Sequence, residues 1–193
     1  MEFSDGREKS LGDMIYRHRY LTQLVFLTNL ETPSSTITLP TLRTLSLVCS
    51  QYGGVNRQLE FVSGCPALEY LTWGLCSKVR FIAKDFVRLV EASTWPKLEG
   101  LNLSEVGYGF SDADIASILE VMPRVVCFNM SSSTFGSLSF QRLRPYFSTL
   151  KKVNLDGCEQ VTKAMLLEIL SFCPQLSQKC RTRLARMTND GRQ

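Results

Sequence analysis

The sequence predicts an α/β solenoid, with short parallel β-strands along one face, helices along the other, and one strand and one helix in each stacked unit. Three observations carry that prediction. Blocks in which an apolar anchor residue is followed by further apolar residues three and five positions later recur along the 193 residues. The anchors at 21, 42, 68, 98, 125, 150 and 176 lie 21, 26, 30, 27, 25 and 26 residues apart. Between the blocks, the apolar spacing changes from a period of two to that of a helix.

The strand blocks read "YLTQLVF" (Leu21, Leu24, Phe26), "PTLRTLSL" (Leu42, Leu45, Leu47), "CPALEYLTW" (Leu68, Leu71, Trp73), "WPKLEGLNL" (Leu98, Leu101, Leu103), "MPRVVCFNM" (Val125, Phe128, Met130) and "FSTLKKVNL" (Leu150, Val153, Leu155). "CPQL" (Leu176) starts the pattern once more. Alternation sends the second and third apolar residues to one side of a short extended segment and the intervening residues to the other. Strands of this kind pair in parallel, and their apolar sides form one continuous core. Six such matches in register are the pattern of leucine-rich repeats, whose units run about 20 to 29 residues.

Helix signals fill the intervals. "SDADIASILEVM" offers Ser111 as an N-cap, Asp112 and Asp114 in the first turn, and Ile115, Ile118, Leu119 and Met122 along one face. The helix before Cys173 repeats the arrangement with Thr162 as cap and Met165, Leu166, Ile169 and Leu170 inward. "AKDFVRLVEA" and "RQLEFVSG" are shorter versions. Pro145 in "FQRLRPYF" breaks a helical unit, because proline removes a backbone donor and clashes with the preceding turn. Trp73 and Trp95 fall on inward positions and read as core.

Composition narrows the function classes. At 44% hydrophobic, the chain holds one core or one elongated array and is too short for a large multidomain enzyme. Runs such as "AMLLEILSF", with Glu168 inside, fall short of the about 20 residues of a membrane span. "MEFSDGREKS" is charged where a secretory signal needs an apolar stretch, so an intracellular protein of cytoplasm, nucleus or both is expected. The seven cysteines include no C-x-x-C pair and read as small buried hydrophobes, not as disulfides or zinc ligands. The one histidine, His18 in "YRHRY", has arginine neighbours that disfavour an imidazolium paired with a thiolate. No enzyme activity, catalytic residue, metal or cofactor is expected.

The formal charge of +4 is local. Residues 1 to 177 carry 17 basic and 17 acidic residues, and the excess sits in "QKCRTRLARMTNDGRQ", with five basic residues against Asp190. A nucleic-acid domain would spread a basic stripe over a folded face. No nucleic-acid partner and no membrane partner is expected.

Cys76 and Cys158 stand at the third position after their strands, and Cys65 and Cys173 precede the proline that closes a helix. Ser50, Val106 and Ser133 occupy the cysteine position elsewhere. With these features, "LKKVNLDGCEQVTKAMLLEILSFCPQL" resembles the cysteine-containing leucine-rich repeats of F-box proteins, within the ribonuclease-inhibitor-like superfamily. The resemblance implies a horseshoe with strands on its concave side, and a substrate-recognition subunit of a cullin-type ubiquitin ligase that holds a protein on that side. It also implies an adaptor-gripping F-box, for which the 20 residues before Leu21 leave no room; a ligase adaptor is a partner only if an F-box lies upstream. The expected layout is a truncated unit or irregular cap at 1–20, including "SLGDMIYRHRY" as a helix, a repeat array of about six units at 21–176, and a basic capping helix and tail at 177–193 with Cys180, Leu184 and Met187 inward.

Parity names the candidate partner-binding face: Tyr70 and Thr72, Asn102 and Ser104, Asn129 and Ser131, and Lys152, Asn154 and Asp156. Small polar side chains with little charge suit hydrogen bonding to an extended chain and offer neither a phosphate cradle nor paired carboxylates. Val25 and Leu27 are apolar at outward positions of the first strand and are expected to pack against a cap. The alternative function is a free-standing leucine-rich repeat scaffold or a GTPase regulator.

Overall fold

Apolar residues at alternate positions make six short strands, and each pairs with the next. The computed structural model describes residues 17–18, 20–26, 38–49, 55–75, 83–92, 94–104 and 109–189. The strands are β1 (Gln23–Phe26), β2 (Thr44–Cys49), β3 (Tyr70–Leu75), β4 (Gly100–Asn102), β5 (Cys127–Asn129) and β6 (Lys152–Asn154). They form one parallel sheet in chain order, β1-β2-β3-β4-β5-β6, and the fold is α/β.

The register keeps the parity of every unit aligned. Leu24, Leu45, Leu71, Leu101, Phe128 and Val153 are successive partners. From Leu45 to Val153 this row is buried, as are Leu47, Trp73, Leu103, Met130 and Leu155. Burying an apolar side chain of this size contributes about 1.5–3 kcal/mol. A one-residue slip would turn the whole set to the other face, so the register is strongly specified.

The anchors Leu42, Leu68, Leu98, Val125, Leu150 and Leu176 are buried beside this row. Three residues before each, Leu39, Cys65, Trp95, Met122, Phe147 and Cys173 are buried as well. In four units a tight turn joins the two positions, the anchor N–H donating to the earlier carbonyl: Leu42 to Leu39, Leu68 to Cys65, Leu98 to Trp95 and Leu176 to Cys173. Proline at the intervening positions 40, 66, 96 and 174 suits such a turn, since its missing donor costs nothing there.

Helices α1 (Val55–Ser63), α2 (Ala83–Glu91), α3 (Asp112–Val121), α4 (Ser137–Leu143), α5 (Lys163–Phe172) and α6 (Gln178–Asn189) complete the described elements, with a 3-10 turn at Arg144–Tyr146. Contacts run α1 to α2, α2 to α3, α3 to α4 and α5 to α6. Their buried residues join those of the strands in one core cluster. Phe86 of α2 is central to it, with ring centroids 5.7 Å from Trp73, 5.6 Å from Trp95 and 5.8 Å from Phe110. Both tryptophans are core, as expected.

Local signals set the helix ends. Ser111 and Asp114 form a reciprocal capping box on α3, and the Thr162 hydroxyl accepts from Met165 N–H at 3.3 Å on α5. Helix α4 ends at Leu143, and Pro145 lies within the 3-10 turn that follows. The N-cap of helix α4 is Gly136, which has no capping side chain. Asp112 of the preceding unit supplies the acceptors: Oδ1 receives N–H bonds from Gly136 (2.8 Å) and Ser139 (3.0 Å), and Oδ2 one from Leu138 (3.0 Å).

After Leu176 the repeat stops. Ser177 N–H still donates to Lys151 O at 2.9 Å, but helix α6 follows directly. Leu184 is fully buried, and Cys180 and Met187 pack against the core, which matches the expected inward face. Leu27 and Cys76, and nearly all of the helix expected at "SLGDMIYRHRY", lie outside the described residues.

Candidate functional site

The second face of the sheet is built from the residues that alternate with the core. One row across all six strands is Gln23, Thr44, Tyr70, Gly100, Cys127 and Lys152, and the next is Val25, Ser46, Thr72, Asn102, Asn129 and Asn154. Apart from Gly100, whose small surface is covered, these residues are half-buried or exposed. The sequence-named residues Tyr70, Thr72, Asn102, Asn129, Lys152 and Asn154 therefore share one surface. Ser104, Ser131 and Asp156 lie two residues beyond the asparagines, just past the strand ends.

The three asparagines do the same thing. Asn102 Oδ1 accepts the Ser104 N–H, Asn129 Oδ1 that of Ser131, and Asn154 Oδ1 that of Asp156, each at 3.2 Å. Each side chain thus folds over the end of its own strand as a backbone turn would. A backbone N–H can donate only to the amide oxygen, so this bond also fixes which amide atom is the NH2 group. Those NH2 groups have no acceptor among the described residues.

Tyr70 is held in place. Its ring lies against Gly100, where a β-carbon would collide with it, so glycine is required by close approach. Its hydroxyl donates to Glu99 Oε1 at 2.6 Å, and Arg124 reaches Glu99 Oε2 at 3.4 Å. That hydrogen bond to a carboxylate, with burial and the charges of Glu99 and Glu69 behind it, pushes the Tyr70 phenol up to about 12. Arg43 pairs with Glu69 at 3.5 Å along the same border.

Asp156 is not free for a partner in the way parity implied. Arg183 of α6 pairs with its Oδ2 through Nε at 2.5 Å and through Nη2, while its Oδ1 is buried with no hydrogen-bond partner among the described residues. Lys152 and its neighbour Lys151 are exposed at this end of the sheet. The charged border has a signal in the sequence: Arg43 and Glu69 occupy the same position, one after the anchor, in adjacent units.

Burial pushes Cys65 up to about 12 and Cys173 to about 11, so both thiols stay protonated at neutral pH. Burial also raises Cys127, the one described cysteine on the second face, against the lowering pull of Lys152 and Lys151. Among the described residues, no cluster of three or more His, Cys, Asp or Glu could hold a metal ion, and no helix is long and apolar enough to cross a membrane. A groove of about 530 Å³ between α3 and α4 is lined by Ala113, Ala116, Ser117, Leu138 and Gln141, with Arg142 bridging Glu120 at 3.2 Å.

The cysteine position has a packing role. Cys158 and Ser133 are equivalent residues of neighbouring units, both buried, with Sγ and Oγ 3.5 Å apart. The Cys158 thiol donates to Met130 O at 3.1 Å, and Ser133 Oγ accepts the Phe135 N–H at 3.2 Å. Either residue places a small polar atom under the turn that leaves the strand.

Comparison with known proteins finds no family model and no curated protein that matches this chain.

Proposed function

We propose that this chain is a leucine-rich repeat solenoid that binds a protein on the strand face and carries out no chemistry there. The observation that carries the reading is the pair of in-register rows of mostly small, polar side chains crossing six parallel strands, opposite a fully apolar core face. Such a surface presents hydrogen-bonding groups at regular spacing on a rigid support, and rigidity lowers the entropic cost of binding. The α/β order, the alternation of strand and helix and the anchor turns all agree with a repeat array.

Within that class, the chain is placed with the substrate-recognition subunits of cullin-type ubiquitin ligases. The buried Cys158, its serine counterpart Ser133, and the Thr162 cap four residues beyond Cys158 favour this cysteine-containing type of repeat. Its partner is then a protein destined for ubiquitination, held on a concave strand face.

Co-purification from cells tests the reading. Thr72→Arg and Ser131→Arg place bulk on the strand face, and Gln141→Arg places it on α4. The expected result is a protein partner that is lost with the two strand-face variants and retained with Gln141→Arg. Equal recovery with all three would remove the strand face from the account.

A further inference from the structure

We propose that the strand face takes an acidic, proline-rich segment in the polyproline II conformation, running across the strands and hydrogen-bonded at every second one. The proposal rests on the strand-face reading above and adds the chemistry of the partner.

The argument begins with the asparagines. Their Oδ1 atoms are all committed to the backbone two residues on, so each NH2 group is oriented and left with donors to offer. A partner must therefore supply acceptors, and a backbone whose own carbonyls are unpaired supplies them in series. The spacing selects the conformation. Neighbouring strands lie about 4.8 Å apart, so alternate strands lie about 9.6 Å apart. Polyproline II rises about 3.1 Å per residue with three residues per turn, which returns a carbonyl to the same side every about 9.3 Å, and it has no internal hydrogen bonds. A β-strand returns to the same side every about 6.7 Å, which matches neither one strand spacing nor two.

The phase follows from the residues. Strands β2, β4 and β6 contribute Ser46, Asn102 and Asn154 to the row, whereas β1, β3 and β5 contribute Val25, Thr72 and Asn129. The first set carries two oriented amide donors, the second only one. Carbonyls three residues apart would meet Asn102 and Asn154, with Asn129 passed over. Tyr70, fixed by Glu99 and Gly100, offers a ring beside the row for a proline to rest on.

Charge sets the polarity. Lys151 and Lys152 are exposed at the β6 end, with no carboxylate paired to either among the described residues, while the nearby Asp156 is neutralised by Arg183. A carboxylate on the segment complements that end.

The test uses the full chain and a fluorescein-labelled peptide of about ten residues, long enough at about 31 Å to cross the sheet, with two prolines in every three positions and two glutamates at one end. Binding is read by anisotropy. The glutamates replaced by lysine, or the prolines by glycine and serine, should each weaken binding about tenfold. Asn102→Asp and Asn154→Asp keep the oxygen that closes the turn but remove the donors, and each should weaken binding about tenfold. Asn129→Asp adds the same charge on the skipped strand and should cost less than about threefold. No binding of the acidic proline-rich peptide up to about 1 mM, or an Asn129→Asp loss equal to the other two, overturns the proposal. If Thr72→Arg still abolishes capture of a protein partner in that case, the strand-face reading survives and only the polyproline chemistry fails.

Discussion

The two ends of the sheet are finished differently. At β6, α6 lies against the strand and brings Arg181 and Arg183 to that end of the sheet. Arg181 reaches three carbonyls left by the end of α5 and the turn after it: Leu170 (3.0 Å), Cys173 (2.6 Å) and Leu176 (3.2 Å). At β1, Leu21 and Leu24 are only partly buried, where their counterparts in the later units are at most 5% exposed, and Val25 is 46% exposed. Among the described residues β1 has a paired strand on one side only, whereas β2 to β5 have one on each side, so the same leucine in the same register is covered to different extents. The β6 end uses the guanidinium group of Arg181, which donates several hydrogen bonds at once and stays charged.

The largest contrast to test is between equivalent leucines. Leu45→Ala should destabilise the chain by about 2–5 kcal/mol and Leu24→Ala by less than half as much, since the cost of a core truncation follows the burial lost and the cavity left. Urea denaturation monitored by circular dichroism measures both. Equal losses would mean that β1 is as fully packed as β2.

Arg181→Ala should cost about 2–3 kcal/mol, because three charge-assisted bonds vanish and part-buried carbonyls are left unpaired. Arg183→Ala, removing the half-exposed pair with Asp156, should cost under about 1 kcal/mol. Thermal unfolding of the two variants side by side separates a structural cap from a surface ion pair.

Asp112 connects neighbouring units in the C-terminal half and gives that half a pH dependence. Burial alone would raise its pKa, but the Ser139 hydroxyl and the N–H groups of Ser139, Gly136 and Leu138 together hold it below the ordinary value of 3.8. With the folded pKa below the unfolded one, its contribution is present above about pH 4 and is lost as pH falls through the folded value. Asp112→Ala should cost about 1–2 kcal/mol at neutral pH, the usual worth of a helix cap, and the gap from the parent chain should close in acid. Denaturation midpoints across pH 2 to 7 check this, and a constant gap would contradict it.

The smallest effect concerns two equivalent turns, at Ser132 and Gly157, with φ of 58° and 71°. Gly157→Ala should cost about 1 kcal/mol in a region that favours glycine, and Ser132→Gly should be neutral or slightly stabilising. Melting temperatures resolve the pair.

Much of this was legible in the sequence because it is local. The anchors, the alternation and the Ser111 and Thr162 caps each depend on residues a few positions apart, and the strands, helices and buried rows fall where those signals put them. The asparagines were legible as surface residues but not as turn closers, because alternation gives the side a residue faces and not what its oxygen bonds. Asp112 capping α4 from the unit before, and Tyr146 with its hydroxyl 2.7 Å from both Leu119 O and Met122 O, join residues 24 to 27 positions apart. No short-range pattern encodes such bonds. The role of Arg181 as a carbonyl cap depends on where α5 ends, which its own neighbours in the sequence do not encode.

The central claim is that the strand face, and not the helix face, meets a protein partner. A photo-crosslinking amino acid placed at Thr72 in one chain and at Gln141 in another tests it directly in cells. The account predicts a discrete crosslinked protein from position 72 that is absent from position 141; crosslinking from position 141 alone would contradict it.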